Sequence, residues 1–277
     1  MPGTLYVVAT PLGNLGDLSP RAADALRQAA VVAAEDTRRT RGLLSHLGAS
    51  PALLSFHAHS GERRLETLLE ILADGRDVAL VTDAGTPGVS DPGTDLVAAA
   101  REAGFAVVPI PGPSAVATAL SAAGISADRY LFLGFIPRKG AERTRLLDRA
   151  AAEEWSVVLF EAPSRLVSLL SDLVAVAGAD RRAMVARELT KLHEELRAGT
   201  LAELADYYSE TAPRGEITIV MEGTGAPAAP PDRTADAMEE ATALLAEGLS
   251  RREVARRLTE TMGLPRNDAY RLVMGLP

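Results

Sequence analysis

Apolar residues fall into short compact runs separated by stripes of helical spacing. Leu5-Tyr6-Val7-Val8 is the first run and reads as a buried strand. Ser19-Pro20 then opens a helix, with the serine as cap and the proline at the first helical position. A strand is expected around Val31-Val32. Leu65, Leu68, Leu69 and Leu72 recur at i, i+3, i+4 and i+7 and predict a helix over 61–73. Val78-Ala79-Leu80-Val81 is a strand, Asp91-Pro92 caps the helix after it, and Ala106-Val107-Val108 is a further strand. The second half repeats the style. Strands are expected at Tyr130–Leu133, Trp155–Phe160, near 183–186 and over Glu216–Val220, with a helix near 164–176. Strands alternating with helices predict an α/β chain with largely parallel pairing.

The pattern changes after Gly223. The stretch 224–233 is rich in Pro, Ala and Gly and reads as a linker. Beyond it the spacing is helical throughout. Ser250 and Glu253 form a capping box, Val254, Leu258 and Met262 make the buried stripe, and Pro265 ends that helix before a last one through Ala269 to Met274. The expected organisation is an N-terminal α/β domain over 1–112, a second over 113–223, the linker, and a helical tail over 234–277. A length of 277 residues agrees with about two domains plus a small appendage.

Composition narrows the chemistry. Apolar residues at 47% and charged residues at 24% suit an ordinary globular protein. No apolar run reaches the ~18 residues of a membrane span, and the start MPGTLYVVAT has no basic segment ahead of an apolar one. A cytoplasmic location is expected. The absence of cysteine excludes disulfides, thiolate zinc sites, iron–sulfur clusters and a cysteine nucleophile. Four histidines, of which His57 and His59 share a face if the segment is a strand, are too sparse for an expected metal site. The net charge of −8 means that any RNA must be held by locally gathered basic residues.

Three loops carry the candidate chemistry. Thr82 to Gly93 reads Thr-Asp-Ala-Gly-Thr-Pro-Gly-Val-Ser-Asp-Pro-Gly and lies between a strand and a helix. Ligands of open α/β sheets bind beyond the carboxyl ends of the strands, and glycines there let a ligand approach the backbone. The same stretch also reads as a plain Gly/Pro turn with Asp91 as a cap. Thr10 to Leu15 and Ile110 to Ala115 have the same placement, and three such loops favour a ligand cleft over three unrelated turns. There is no P-loop, no dinucleotide glycine fingerprint between a strand and a helix, and no nucleophile elbow.

The runs LYVVATPLGNLGDLSPRA, AAEDTRRTRGLL, TDAGTPGVSDPG, PIPGPSA, FLGFIPRKG, FEAPSR and RELTKLHEE, taken together, resemble the RsmI family of small-subunit ribosomal RNA methyltransferases, within the tetrapyrrole methylases. The resemblance covers about residues 4–222 and continues into the tail. It implies the two-domain tetrapyrrole-methylase (class III methyltransferase) fold, S-adenosylmethionine as cofactor, a homodimer, and methylation of a cytidine 2′-hydroxyl in the decoding region of 16S rRNA in the small ribosomal subunit. Cofactor contacts implied by matching residues are Pro11, Leu12, Gly13, Asp83, Ala84, Gly85, Thr86, Ser114 and Ala115. Looser placements near the ends of the second domain's strands are Phe160, Leu189, Ile217 and Thr218.

A ribose hydroxyl is a poor nucleophile until it loses its proton, so a general base would help. Candidates are Glu188, Lys191 and His193 in the RELTKLHEE run and Asp91 in the main loop, with Glu35 and Asp36 as residues that could orient RNA. Each also reads as a surface ion pair, or as a cap for Asp91. Basic clusters suited to phosphate are Arg38, Arg39 and Arg41; Arg138 and Lys139, followed by Arg143 and Arg145; and Arg251, Arg252, Arg256 and Arg257 in a tail with six arginines against three acids over 249–277. The commoner meaning of such runs is a solvated helix face. Rival readings are a small-molecule tetrapyrrole methylase, which would need a cleft for a large anionic ring, and a non-catalytic RNA-binding assembly protein, which has no need of three such loops. A nicotinamide enzyme lacks its fingerprint.

Overall fold

The computed structural model describes residues 1–57, 60–225, 234–246, 248–262 and 266–275. Contacts divide the chain into Met1–Thr224 and Gly225–Pro277. The larger unit holds two five-stranded sheets.

The first sheet contains β1 (Thr4–Val8), β2 (Val31–Ala34), β3 (Ala52–Ser55), β4 (Val78–Val81) and β5 (Ala106–Ile110), in the order β3-β2-β4-β1-β5. Every pairing is parallel. β2 and β4 are buried at all positions, which is why they are unbroken apolar runs rather than alternating ones. α1 (Pro20–Gln28) and α2 (Thr37–His46) cover one face through Ala22, Leu26, Leu43 and Leu44. α3 (Glu62–Ala73) and α4 (Thr94–Glu102) cover the other through Leu68, Leu72 and Leu96. Ser19 caps α1 as its sequence predicts, accepting from Ala22 N at 3.1 Å.

Asp91 does not cap α4. The helix begins at Thr94, and its cap is Gly93, with φ 135° and no side-chain hydrogen bond. A Cβ at Gly93 would stand 2.8 Å from Leu80 Cδ2, so the chain enters the helix hard against β4, where glycine fits without a shift. The carboxyl of Asp91 is left for other work.

The second sheet follows α5 (Ala115–Ala122). It is built from β6 (Tyr130–Phe135), β7 (Ser156–Glu161), β8 (Arg182–Arg187), β9 (Glu195–Thr200) and β10 (Ile217–Met221), in the order β6-β7-β10-β8-β9. Here the expected parallel pairing fails. Only β6 and β7 are parallel, and β10 runs antiparallel to both its neighbours, as β9 does to β8. The link from β8 to β9 is residues 188–194, too short for the crossover a parallel pair needs. α6 (Ala141–Ala152), α7 (Leu166–Ala177) and α8 (Leu201–Glu210) pack on one face around Leu159, Val185 and Ile219. α5 lies on the other face, with Val158, Met184 and Val220, and Leu12 from the loop after β1 joins the same cluster. Leu12 thereby ties the first sheet's loops to the second sheet.

The smaller unit contains α9 (Thr234–Ala246), α10 (Arg251–Met262) and α11 (Arg266–Met274), packed around Leu244, Val254, Leu258 and Val273. The capping box forms: Ser250 N donates to Glu253 Oε2 at 3.0 Å, and Glu253 N donates to Ser250 Oγ at 3.4 Å. Most of the expected linker, residues 226–233, lies outside the described residues, as do His59, Pro265 and the side chain of Met262. Among the described residues no helix is long and apolar enough to cross a membrane.

Candidate functional site

The three expected loops leave adjacent strands, because β4, β1 and β5 are neighbours and point the same way. They are also bonded to one another. Thr10 N donates to Gly85 O at 2.9 Å and Gly85 N returns a bond to Thr10 O at 3.0 Å. Thr10 Oγ1 donates to Thr82 O at 3.1 Å, and Thr86 Oγ1 donates to Pro113 O at 3.2 Å. Gly85 holds φ 85°, a left-handed conformation that the doubled bond to Thr10 imposes. Ser114 closes the third loop by capping α5.

The second sheet supplies the facing wall. Phe160 and Glu161 end β7, and Ile217 and Thr218 begin β10. The resemblance implied that Ile217 and Thr218 lie near a strand end. They stand at a strand start, yet still meet the site, because antiparallel pairing sets Ile217 beside Glu161. Three described non-glycine residues hold positive φ: Ser90 at 59° in the cavity lining, and Glu188 at 53° and Thr190 at 66° in the turn after β8. Such strain persists only where the surroundings enforce it. Ser90 packs closely on Gly134, at the irregularity in β6, where an added Cβ would stand 2.7 Å from Ser90 Oγ. Ser90 in turn sets the neighbouring Asp91. Gly134→Ala, which also strains a backbone at φ 61°, is expected to displace Ser90 and lower turnover about 10-fold, within the loss that a 1 Å misplacement brings. Single-turnover rates at saturating cofactor check this.

Between the walls lies a cavity of about 480 Å³, within the ~300–1,000 Å³ of ligand sites. Leu12, Val116, Phe135 and Phe160 give it apolar surface. Five carboxylates, Glu35, Asp83, Asp91, Glu161 and Glu216, line it against one guanidinium, Arg39. That lining suits a ligand with positive charge and an apolar ring. Asp83 is fixed by accepting Asp36 N at 3.0 Å and pairing with Arg39 at 3.4 Å. Burial, then the charges of Glu35 and Asp83, push Asp91 up to about 7. Glu161 has a fully buried side chain. Burial raises its pKa, against the pull of the Ala162 amide and of Arg165, which stands 3.1 Å away. Oε2 takes that ion pair and Oε1 accepts Ala162 N at 2.8 Å, so both oxygens are already engaged.

The candidate residues sort clearly by place. Leu12, Asp83, Ala84, Gly85, Thr86, Ser114, Ala115, Phe160, Ile217 and Thr218 line the cavity, and so does Asp91. Pro11 lines a smaller neighbouring cavity. Gly13 lies against Lys191, whose Cγ would be 2.1 Å from an added Cβ, and Leu189 is buried beside Leu12. Glu188 and Lys191 are not in the lining. They form a knot in which Lys191 Nζ donates to Glu188 Oε1 at 2.9 Å and to Glu216 Oε2 at 3.1 Å, and Glu216 N donates to Glu188 Oε1 at 3.0 Å. Desolvation alone would raise the pKa of Glu188 and lower that of Lys191, but these bonds and the facing charges together outweigh it, so Glu188 is lowered and Lys191 raised. Sequence reasoning missed Glu161 and Glu216 in the lining. The signal for both was their position at the β7–β10 junction, and no periodicity reports which strands pair.

The basic candidates divide by pairing. Arg38 is held by Asp36, with an N–O distance of 2.6 Å, and that bond holds the Asp36 carboxyl down at about 2. Arg256 is 3.9 Å from Glu260, and Arg251 donates to Val273 O at 3.2 Å. Of the other candidates, Arg143 is tied to Asp172 and Arg145 lies 3.8 Å from Glu142. Among the described residues Arg41, Arg138, Lys139, Arg252 and Arg257 are exposed and in no ion pair.

Comparison with known proteins agrees with this architecture. The family model for tetrapyrrole (corrin/porphyrin) methylases matches residues 4–205. A ribosomal RNA small subunit methyltransferase I from Synechocystis sp. is 45% identical over 99% of this chain and 98% of its own. A protein of the same name from Escherichia coli O157:H7 is 41% identical over 98% and 95%. Among solved structures, the methyltransferase CobJ superposes with a TM-score of 0.63 at 20% identity, covering 83% of this chain and 98% of its own. A uroporphyrin-III C-methyltransferase from Thermus thermophilus, complexed with S-adenosylhomocysteine, has a TM-score of 0.60 at 18% identity, covering 79% and 97%. Both structural likenesses concern the fold. The chain belongs to the tetrapyrrole (corrin/porphyrin) methylase family, a family of methyltransferases, and within it to the group of ribosomal RNA small subunit methyltransferases I.

Proposed function

We propose that the protein is an S-adenosylmethionine-dependent methyltransferase that methylates the 2′-hydroxyl of a cytidine in the decoding region of 16S rRNA, within the small ribosomal subunit. The observation that carries this reading is likeness to small-subunit RNA methyltransferases over nearly the whole chain. The acid-lined cavity supports it, because its donor set fits this cofactor: carboxylates for the cationic groups and Phe135, Phe160, Val116 and Leu12 for the adenine. When bound, S-adenosylmethionine supplies a methyl group already activated on a sulfonium. The loops 82–93, 10–15 and 110–115 then have to hold and orient it, and much of the rate comes from that positioning.

Asp91 is the residue in the best place to take the proton from the ribose hydroxyl. It lines the cavity, and it stands near neutrality, where a general base is most effective. Glu188 and Lys191 act at one remove, holding Glu216 and the turn before β10. The uncompensated Arg41, Arg138, Lys139, Arg252 and Arg257 suit contacts to the RNA backbone. Residues 1–112 and 113–223 serve as the two halves of the catalytic unit, 224–233 as linker and 234–277 as an RNA-contacting tail. The protein acts in the cytoplasm as a homodimer.

The test is transfer from tritiated-methyl S-adenosylmethionine to small subunits from cells lacking this gene, followed by digestion to nucleosides. Label in 2′-O-methylcytidine is expected. No label in RNA, with the cofactor still bound by calorimetry, overturns the RNA assignment in favour of a small-molecule methylase.

A further inference from the structure

A second cavity adjoins the first. It has about 190 Å³ and is lined by Thr10, Pro11, Leu15, Arg39, Thr40, Gly42, Leu43, Thr82 and Asp83. Arg39 and Asp83 line both cavities, so this ion pair is their common wall. The chamber is smaller than the ~300 Å³ at which ordinary ligand sites begin, so it suits a base and not a whole nucleoside. Its lining combines apolar Pro11, Leu15 and Leu43 with polar Thr10, Thr40 and Thr82 and the Arg39–Asp83 pair. Leu15 is 45% exposed, although it belongs to a large apolar residue type, and it lines the chamber with Leu43 and Pro11. An exposed leucine in such a place suits contact with the face of a flat ring.

We infer that this chamber receives the base of the nucleotide being methylated, and that the Arg39–Asp83 pair selects cytosine. The inference rests on the RNA reading proposed above and goes beyond it, to the residues that choose the base. Asp83 accepts hydrogen bonds and Arg39 donates them. Side by side, they match a base edge that offers an amine next to an acceptor. Cytosine offers N4–H₂ beside N3, and carboxylates accept from that amine. Uracil offers the carbonyl O4 at the same place and would set one acceptor against another. Adenine also has an amine beside an acceptor, but its two-ring outline holds the ribose farther from that edge than a pyrimidine does, which takes the 2′-hydroxyl out of line with the methyl donor. Asp83 already accepts Asp36 N and pairs with Arg39. A carboxylate has about four acceptor positions, so an amine joins these partners without displacing them. Extruding a nucleotide loses its stacking, and contact with Leu15, Leu43 and Pro11 offsets that loss.

The experiment uses the full-length protein and small subunits carrying C, U or A at the position where label is mapped. Wild type is expected to methylate the C subunits at least about 10-fold faster than either alternative. Arg39→Gln is expected to reduce the C-to-U ratio by about 10-fold or more. Gly42→Leu fills the chamber from α2, where nothing lies within 4 Å of a Cβ. It is expected to lower transfer to C by about 10-fold or more while cofactor affinity by calorimetry and the melting temperature stay near wild type, since Gly42 is not in the lining of the first cavity. Wild type that methylates C subunits, joined to a Gly42→Leu variant equally fast and an Arg39→Gln variant with an unchanged ratio, overturns the chamber and leaves the RNA reading standing. Wild type that transfers no methyl to any of the three overturns the RNA reading and the chamber with it.

Discussion

Asp91→Asn is expected to slow methyl transfer by about 10²–10⁴-fold, the range for losing a general base, while leaving cofactor affinity within a few-fold of wild type. It is also expected to make the protein more stable at pH 8. Both effects come from one cause. The carboxyl starts from an ordinary value of 3.8 and stands at about 7 in the folded chain, because it is buried beside the charges of Glu35 and Asp83. Below 3.8 both folded and unfolded chains hold the proton and stability is indifferent to it. Between 3.8 and about 7 the unfolded chain loses the proton while the folded chain keeps it, so stability falls as pH rises; above about 7 the loss is complete. Asparagine carries no charge and escapes that loss. Melting curves at pH 4 and pH 8 separate this from a nonspecific gain: the difference from wild type should be present at pH 8 and nearly gone at pH 4. Single-turnover rates should rise with pH through about 7 in wild type and lose that step in the variant. A variant that keeps both its rate and its pH step removes Asp91 from the chemistry.

Asp91 also shows where sequence reasoning reached its limit. Its place between a strand and a helix gave it two readings, a cap or a site residue, and both rest on local chemistry. The decision came from Leu80, which crowds Gly93 and moves the start of the helix to Thr94. The first wall was legible because its signals are local: apolar runs with no polar break at β2 and β4, and turn residues directly after β1, β4 and β5. The strands of the second wall were legible in their apolar runs, but which of their residues meet the site was legible only through resemblance. Glu161 and Glu216 join the site because β7 and β10 are antiparallel neighbours, with Ile217 opposite Glu161 and 56 residues apart in sequence. β9 escaped notice for a related reason. Its Glu-Leu-Arg-Ala-Gly-Thr has little apolar content and lies at the sheet edge, where Tyr208 holds Glu195 with a 2.7 Å bond. Arg38 and Arg39, which read as a basic cluster for RNA, turned out to be partly spent on Asp36 and Asp83. Counting charges along a chain does not reveal which are already neutralised in space.

Gly85→Val is expected to weaken cofactor binding by more than about 100-fold with the fold intact. Gly85 holds φ 85° because both its amide and its carbonyl are bonded to Thr10, and it lines the cavity. A β-branched residue at positive φ is an outlier that only strong surroundings sustain, and left-handed backbone costs an L-residue about 1–2 kcal/mol, already close to tenfold in an equilibrium. The backbone has two ways to respond. If it stays in place, the valine carries the strain and projects into the volume the cofactor needs, from a Cβ 3.5 Å from Leu12 Cδ2. If it relaxes, the paired bonds to Thr10 are lost, and with them the register between the loops after β1 and β4. Both routes remove the shape of the first wall, and neither touches the cores around Leu26, Leu72 or Leu170. Calorimetry with S-adenosylhomocysteine measures the binding, and the melting temperature without ligand reports the fold. Gly85→Ala should lie between the two, with the strain but less of the occlusion. Full affinity in the valine variant would move the cofactor out of this cavity altogether, since no ligand seated against residues 83–86 could ignore a side chain at that point.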